Sequence, residues 1–127
     1  MEELLLKFNL VSFSWDSYIE FARELKGETD EAKLRTSVSR GYYGVYHKSR
    51  IRLGKISKQY VKHEDVIAEL RESEKFENGN RLANTLDNLK KDRVDADYDS
   101  FKTVTPHTVD VFWKRLDRFI ITLNEEE

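Results

Sequence analysis

The sequence predicts an all-α fold, a single-domain antiparallel bundle of about five helices. Three observations predict it. The 127 residues include only five glycines and one proline, so the chain has few breaks. Apolar residues recur at i, i+3, i+4 and i+7 in several successive segments. Capping residues and Gly fall between those segments rather than inside them, the helix beginning at residue 30 excepted. The length suits one domain with one core, and no interdomain linker or internal repeat interrupts it.

Residues 1–13 stay open. Leu6, Phe8 and Leu10 alternate like a strand, whereas Leu4, Leu5 and Phe8 fit a helix face. Ser14 is suited to cap a first helix, with Trp15, Tyr18, Ile19, Ala22 and Leu25 as its apolar stripe and Gly27 at its end. Thr29 is expected to cap the second, with Asp30 and Glu31 in its first turn. That helix should bury Leu34, Val38, Tyr42 and Val45 and stop at Gly54. A third starts near His63 and buries Val66, Ile67 and Leu70. A fourth carries Leu82, Leu86 and Leu89 and should give way to loop within the polar run "KKDRVDADYDSF". Thr105-Pro106 opens the fifth, because proline at the first helical position loses no needed N–H. Val109, Phe112, Trp113, Leu116, Phe119, Ile120 and Leu123 line its face, and residues 124–127 should fray.

Composition narrows the function. There is no Cys, which excludes disulfides and thiolate metal sites and fits a reducing, cytoplasmic setting. The N-terminal stretch lacks the basic region of a signal peptide, and no apolar run approaches the ~18 residues that span a bilayer, so no membrane association is expected. Net charge is −2, yet Lys48, Arg50, Arg52, Lys55, Lys58 and Lys62 follow one another with no acid between them. Without those six cations the remainder carries −8. The segment reads either as a solvated linker face or as a local phosphate-binding strip.

The most informative stretch directly precedes and overlaps that segment: "SVSRGYYGVYHKSR", residues 37–50. Seven residues on a helix return to within ~20° of the start, so Arg40 and His47 share a face, ~10.5 Å apart along the axis. Neither has an acidic neighbour on its own helix; Asp95, Asp97 or Asp99 elsewhere is a candidate partner for Arg40. Gly41 and Gly44 each cost roughly 1 kcal/mol relative to Ala inside a helix. The expected return is close approach of another backbone, from a neighbouring helix or a second subunit, with Tyr42 and Tyr43 filling the space around the crossing. "HED" at His63–Asp65 is too short to cage a metal, and there is no Gly-rich phosphate loop; neither metal nor cofactor is expected.

This stretch resembles the "S-R-x-Y-Y-A-x-F-H" helix signature of HEPN domains (higher eukaryotes and prokaryotes nucleotide-binding). "KDRVDADYD" at 91–99 resembles the "R-x-x-A-D-Y" element of the same branch, which brings in Asp97 and Tyr98. The resemblance implies an up-and-down bundle that dimerises through the motif helix. It also implies a metal-independent ribonuclease, in which His47 serves as acid or base around a ribose 2′-OH and Arg40 holds the scissile phosphate. Such enzymes act in toxin–antitoxin or defence modules, often beside a partner nucleotidyltransferase. Ser49 and Gly41 stand where one toxin branch carries a Tyr and a polar residue, so that branch's modification site is not implied. The alternatives are a non-catalytic module that binds a nucleotide or a partner nucleotidyltransferase, and a purely structural helical adaptor.

Overall fold

The computed structural model describes residues 13–54 and 62–126. The open N-terminal segment up to residue 12, as well as Lys55 and Lys58, lies outside them. Among the described residues there are five helices and no strand: α1 (Trp15–Leu25), α2 (Glu31–Arg52), α3 (His63–Glu72), α4 (Gly79–Tyr98) and α5 (Pro106–Glu125). None is long and apolar enough to cross a membrane.

Helix α2 is the centre of the bundle and packs against all four others. Leu34, Val38, Tyr42 and Val45 are buried as the periodicity requires, but so are Ser37, Ser39, Gly41, Gly44, Tyr46 and Ser49. A single apolar stripe is therefore too narrow a description. The flank formed by Ser37, Gly41 and Gly44 consists of small residues, because helices come very close there. A Cβ on Gly44 would run into Ile19 of α1, and one on Gly41 would meet Trp113, Phe112 and Leu116 of α5 at 3.1–3.3 Å. The close approach expected at these glycines is supplied by the chain's own neighbouring side chains, and they give no argument for a second subunit. Ser37 joins the same three helices: its Oγ donates to the Ala22 carbonyl at 2.7 Å and accepts from Trp113 Nε1 at 2.9 Å.

Two boundaries depart from the sequence expectation, and a third falls late within its expected run. Asp30, not Thr29, caps α2, its carboxylate accepting from Ala32 N at 3.2 Å. Helix α4 gives way within the polar run, as expected, but not before Tyr98. The reason is Arg35 of α2. Its guanidinium donates to the carbonyls of Asp95, Ala96 and Asp99 at 2.9–3.2 Å and to that of Lys102, satisfying the end of α4 from outside. Helix α5 likewise does not fray at residue 124. Arg52 donates to the carbonyls of Leu123 and Glu126, and the Glu126 carboxylate accepts from the backbone N–H groups of Glu77 and Asn78, where α4 begins. By contrast, the start of α5 is as local as its sequence: Thr105 and Thr108 form a reciprocal capping box around Pro106.

Candidate functional site

Helix α2 turns about 100° per residue, which sets out its exposed arc in order, Tyr43, then His47 and Arg40, with buried Ser39 at its edge. Ser39 borders α4, where its hydroxyl donates to Asp97 at 3.1 Å. Arg40 borders α1, where Nη1 donates to the Tyr18 hydroxyl at 3.2 Å and the guanidinium lies 5.7 Å from that ring's centre. His47 borders α1 too, stacked on Trp15 with ring centroids 3.7 Å apart. The result is an open groove of about 480 Å³. Its floor is the exposed arc of α2, one wall is Trp15 and Tyr18 of α1, and the other is Asp97 and Tyr98 of α4.

Arg40 is exposed and, among the described residues, makes no ion pair. The acids considered as its partners are engaged elsewhere: Asp95 with Lys102, Asp97 with Arg93 and Ser39, and Asp99 as acceptor from Phe101 N. The guanidinium is thus positioned without being neutralised.

His47 is in a different electrostatic state. Burial, then the Arg50 cation and repulsion from His63 when that ring is protonated, lowers its pKa to about 4. Arg50 Nε donates to Nδ1 at 2.9 Å, so the neutral ring carries its proton on Nε2. His47 here is a hydrogen-bond donor whose lone pair is already taken.

Among the described residues, the cations of the basic segment do not form one strip. Lys48 pairs with Asp16 at 2.5 Å, Arg50 holds His47, and Arg52 caps α5. Lys48 and Arg52 border a separate recess beside Phe13 and Ile51, and Lys62 is exposed at the cap of α3. Tyr42 is fully buried, and its hydroxyl lies 2.6 Å from His63 Nδ1. Gly41 and Gly44 belong to the core as described above. Tyr43, Asp97 and Tyr98 join Arg40 and His47 in the groove.

Trp15 and Tyr18 read in sequence as core stripe yet form a groove wall, because α1 lays only Ile19 and Ala22 fully into the core. Arg93 is the other residue the sequence left without a role. It is only 7% exposed and sits beneath the groove against the rings of Tyr42, Tyr43 and Tyr98, 5.1–6.0 Å from their centres. Its position in the "R-x-x-A-D-Y" pattern was the available signal.

Among the described residues no three His, Cys, Asp or Glu side chains converge as metal ligands. Compared with known proteins, the chain matches no family model, and no curated protein or solved structure matches it.

Proposed function

We propose that this chain is a HEPN-like binding domain whose groove takes a nucleotide, free or within an RNA strand. The observation that supports this best is Arg40, a fixed cation without an acidic partner among the described residues, in a groove lined by Trp15, Tyr18, Tyr43 and Tyr98. A guanidinium suits a phosphate, and aromatic side chains suit bases, each stack contributing ~1–3 kcal/mol. The Nε2–H of neutral His47 is a further donor for phosphate or sugar oxygen. Titration with a 5′-mononucleotide and with short single-stranded RNA tests this. Tryptophan emission should respond, because Trp15 lines the groove while Trp113 is buried in the core. Arg40→Ala should weaken binding about tenfold or more; an Arg40→Ala protein that binds like the wild type would overturn the reading.

The second reading is metal-independent RNA cleavage, and the pairing of Arg40 with a fully neutral His47 in one groove favours it. The 2′-OH would attack phosphorus while His47 takes its proton; the bond to the 5′ oxygen breaks, and protonated His47 passes that proton to the leaving oxygen. The ends would be a 2′,3′-cyclic phosphate and a 5′-OH. For this, Arg50 must first release Nδ1, and a scissile phosphate drawing Arg50 to itself would both free the lone pair and raise the imidazole's basicity. Binding needs no such rearrangement, which is why it ranks first. The homodimer, the toxin–antitoxin or defence setting and the partner nucleotidyltransferase rest on the resemblance alone.

A further inference from the structure

We propose that the groove selects guanine, with Asp97 as the specificity-determining residue; this rests on the nucleotide-binding reading above. Two opposite charges line the groove without meeting. Arg40 has no acidic partner among the described residues, and Asp97 is engaged only through Oδ2, by Ser39 Oγ at 3.1 Å and Arg93 Nη1 at 3.6 Å. No hydrogen bond among the described residues reaches Oδ1. Arg93 and Ser39 account for one carboxylate oxygen, and the other is left to accept from a ligand that presents donors beside its phosphate.

The layout of α2 says where those donors fall. Ser39 and Arg40 are about 100° apart around the helix, with Tyr43 about 40° from Ser39 on the arc between them. A nucleotide whose phosphate rests on Arg40 lies across the Tyr43 ring and brings its base edge to Asp97, beside Tyr98. Asp97 is held on that side by Ser39 and by Arg93, which is itself clamped under three tyrosine rings. It is therefore kept from swinging onto Arg40. Arg93 Nε has no hydrogen-bond partner among the described residues.

Guanine is the base whose edge matches a carboxylate. N1–H and the N2 amino group are adjacent donors, so both can point at the carboxylate oxygens. Adenine and cytosine place one amino group beside an acceptor lone pair, which the carboxylate repels. Uracil places its single N–H between two carbonyls. Discrimination by a well-formed bidentate pair reaches about tenfold or more.

The test is tryptophan emission of the wild-type chain titrated with 5′-GMP, 5′-IMP, 5′-AMP, 5′-CMP and 5′-UMP, and with 5′-dGMP and 5′-dAMP. The expected order is 5′-GMP tightest by about tenfold or more, 5′-IMP intermediate because it lacks the N2 amino group, and the others weak. The preference should persist between 5′-dGMP and 5′-dAMP, since it resides in the base. Asp97→Asn should bring 5′-GMP down to the level of 5′-AMP. Equal affinity for all ribonucleotides, with binding weakened in Arg40→Ala, would overturn guanine selection and leave the groove reading standing. A preference that follows ribose over deoxyribose rather than the base would overturn it in favour of a carboxylate–diol contact. No binding by any nucleotide or RNA would remove the groove reading and this inference together. Should Asp97→Asn fail to fold, the wild-type series decides alone.

Discussion

Arg35 and Arg40 lie five residues apart on the same helix and do opposite things. Arg35 gives every face of its guanidinium to the fold: Glu31 within α2, and four carbonyls around the end of α4. Among the described residues, Arg40 touches only the Tyr18 hydroxyl and ring through its guanidinium. The same contrast divides the whole of α2. One side, with Ser37, Gly41 and Gly44, is filled by α1 and α5; the other, with Arg40, Tyr43 and His47, is left as the floor of a groove. Residues on the first side hold the bundle together, and those on the second are available to a ligand. Substitutions on the two sides should therefore separate stability from binding.

The largest effect is expected at Gly44. Leucine there has no space beside Ile19, and α1 cannot withdraw without breaking the Ser37–Ala22 bond. Overpacking of this kind costs about 3 kcal/mol, a large share of a small domain's ~5–15 kcal/mol. Denaturant unfolding should show that loss. A Gly44→Leu protein as stable as the wild type, but shifted in its sedimentation, would return the glycine to a subunit interface.

Next is Arg35→Ala, which strips several charge-assisted bonds from the end of α4. A loss of about 2 kcal/mol is expected, concentrated in the last turn of α4 and the 99–104 loop. Faster amide exchange at Asp99 and Val104 would mark it, since Glu31, held by Arg35, also accepts from Val104 N at 3.2 Å. Uniformly faster exchange throughout the chain would mean that Arg35 acts on global rather than local stability.

Arg40→Ala should do the reverse. Melting should stay within about 0.5 kcal/mol of the wild type, as for other exposed positions. Affinity for RNA or 5′-mononucleotide should fall about tenfold or more, in line with loss of a charge-assisted phosphate contact. A stability loss matching that of Arg35→Ala would erase the distinction between the two arginines.

The sequence made one side of this helix legible and not the other. Leu34, Val38, Tyr42 and Val45 could be read because apolar burial follows local spacing. The motif also put Arg40 and His47 on one face, where the groove is. What supplied the walls was not local. Trp15 and Tyr18 carry the spacing of core residues, and nothing in α1 says that its flank borders an opening instead. Where α4 would end within its polar run was not legible, because its carbonyls are satisfied from α2, about sixty residues away in sequence. The lysines and arginines after residue 47 looked like one strip because sequence order hides that Lys48, Arg50 and Arg52 turn to different partners.

The smallest effect concerns His47, which stands at the margin between the two sides, half-buried under Trp15 yet lining the groove. Its folded pKa of about 4 lies below the unfolded value near ~6.5, with burial the main cause and Arg50 and His63 adding to it. Below ~6.5 the unfolded chain takes up a proton that the folded chain refuses. The stabilisation is thus fully present above ~6.5 and is lost as pH falls from there toward 4. Glu31 and Glu64 are shifted downward from ordinary carboxylate values, so their contributions are lost at more acidic pH. His63, also lowered, overlaps the same window, mainly through its burial beside Tyr42 and Tyr46. His47→Gln isolates the first histidine: its melting temperature should decline less than the wild type's between pH 7 and pH 5, roughly the upper part of that window. Parallel declines would mean that the imidazole is solvated in the folded chain, free of both Trp15 and Arg50. In that case His47 would belong to the ligand side of α2 outright, and acid–base chemistry at its ring would need no prior release of Nδ1.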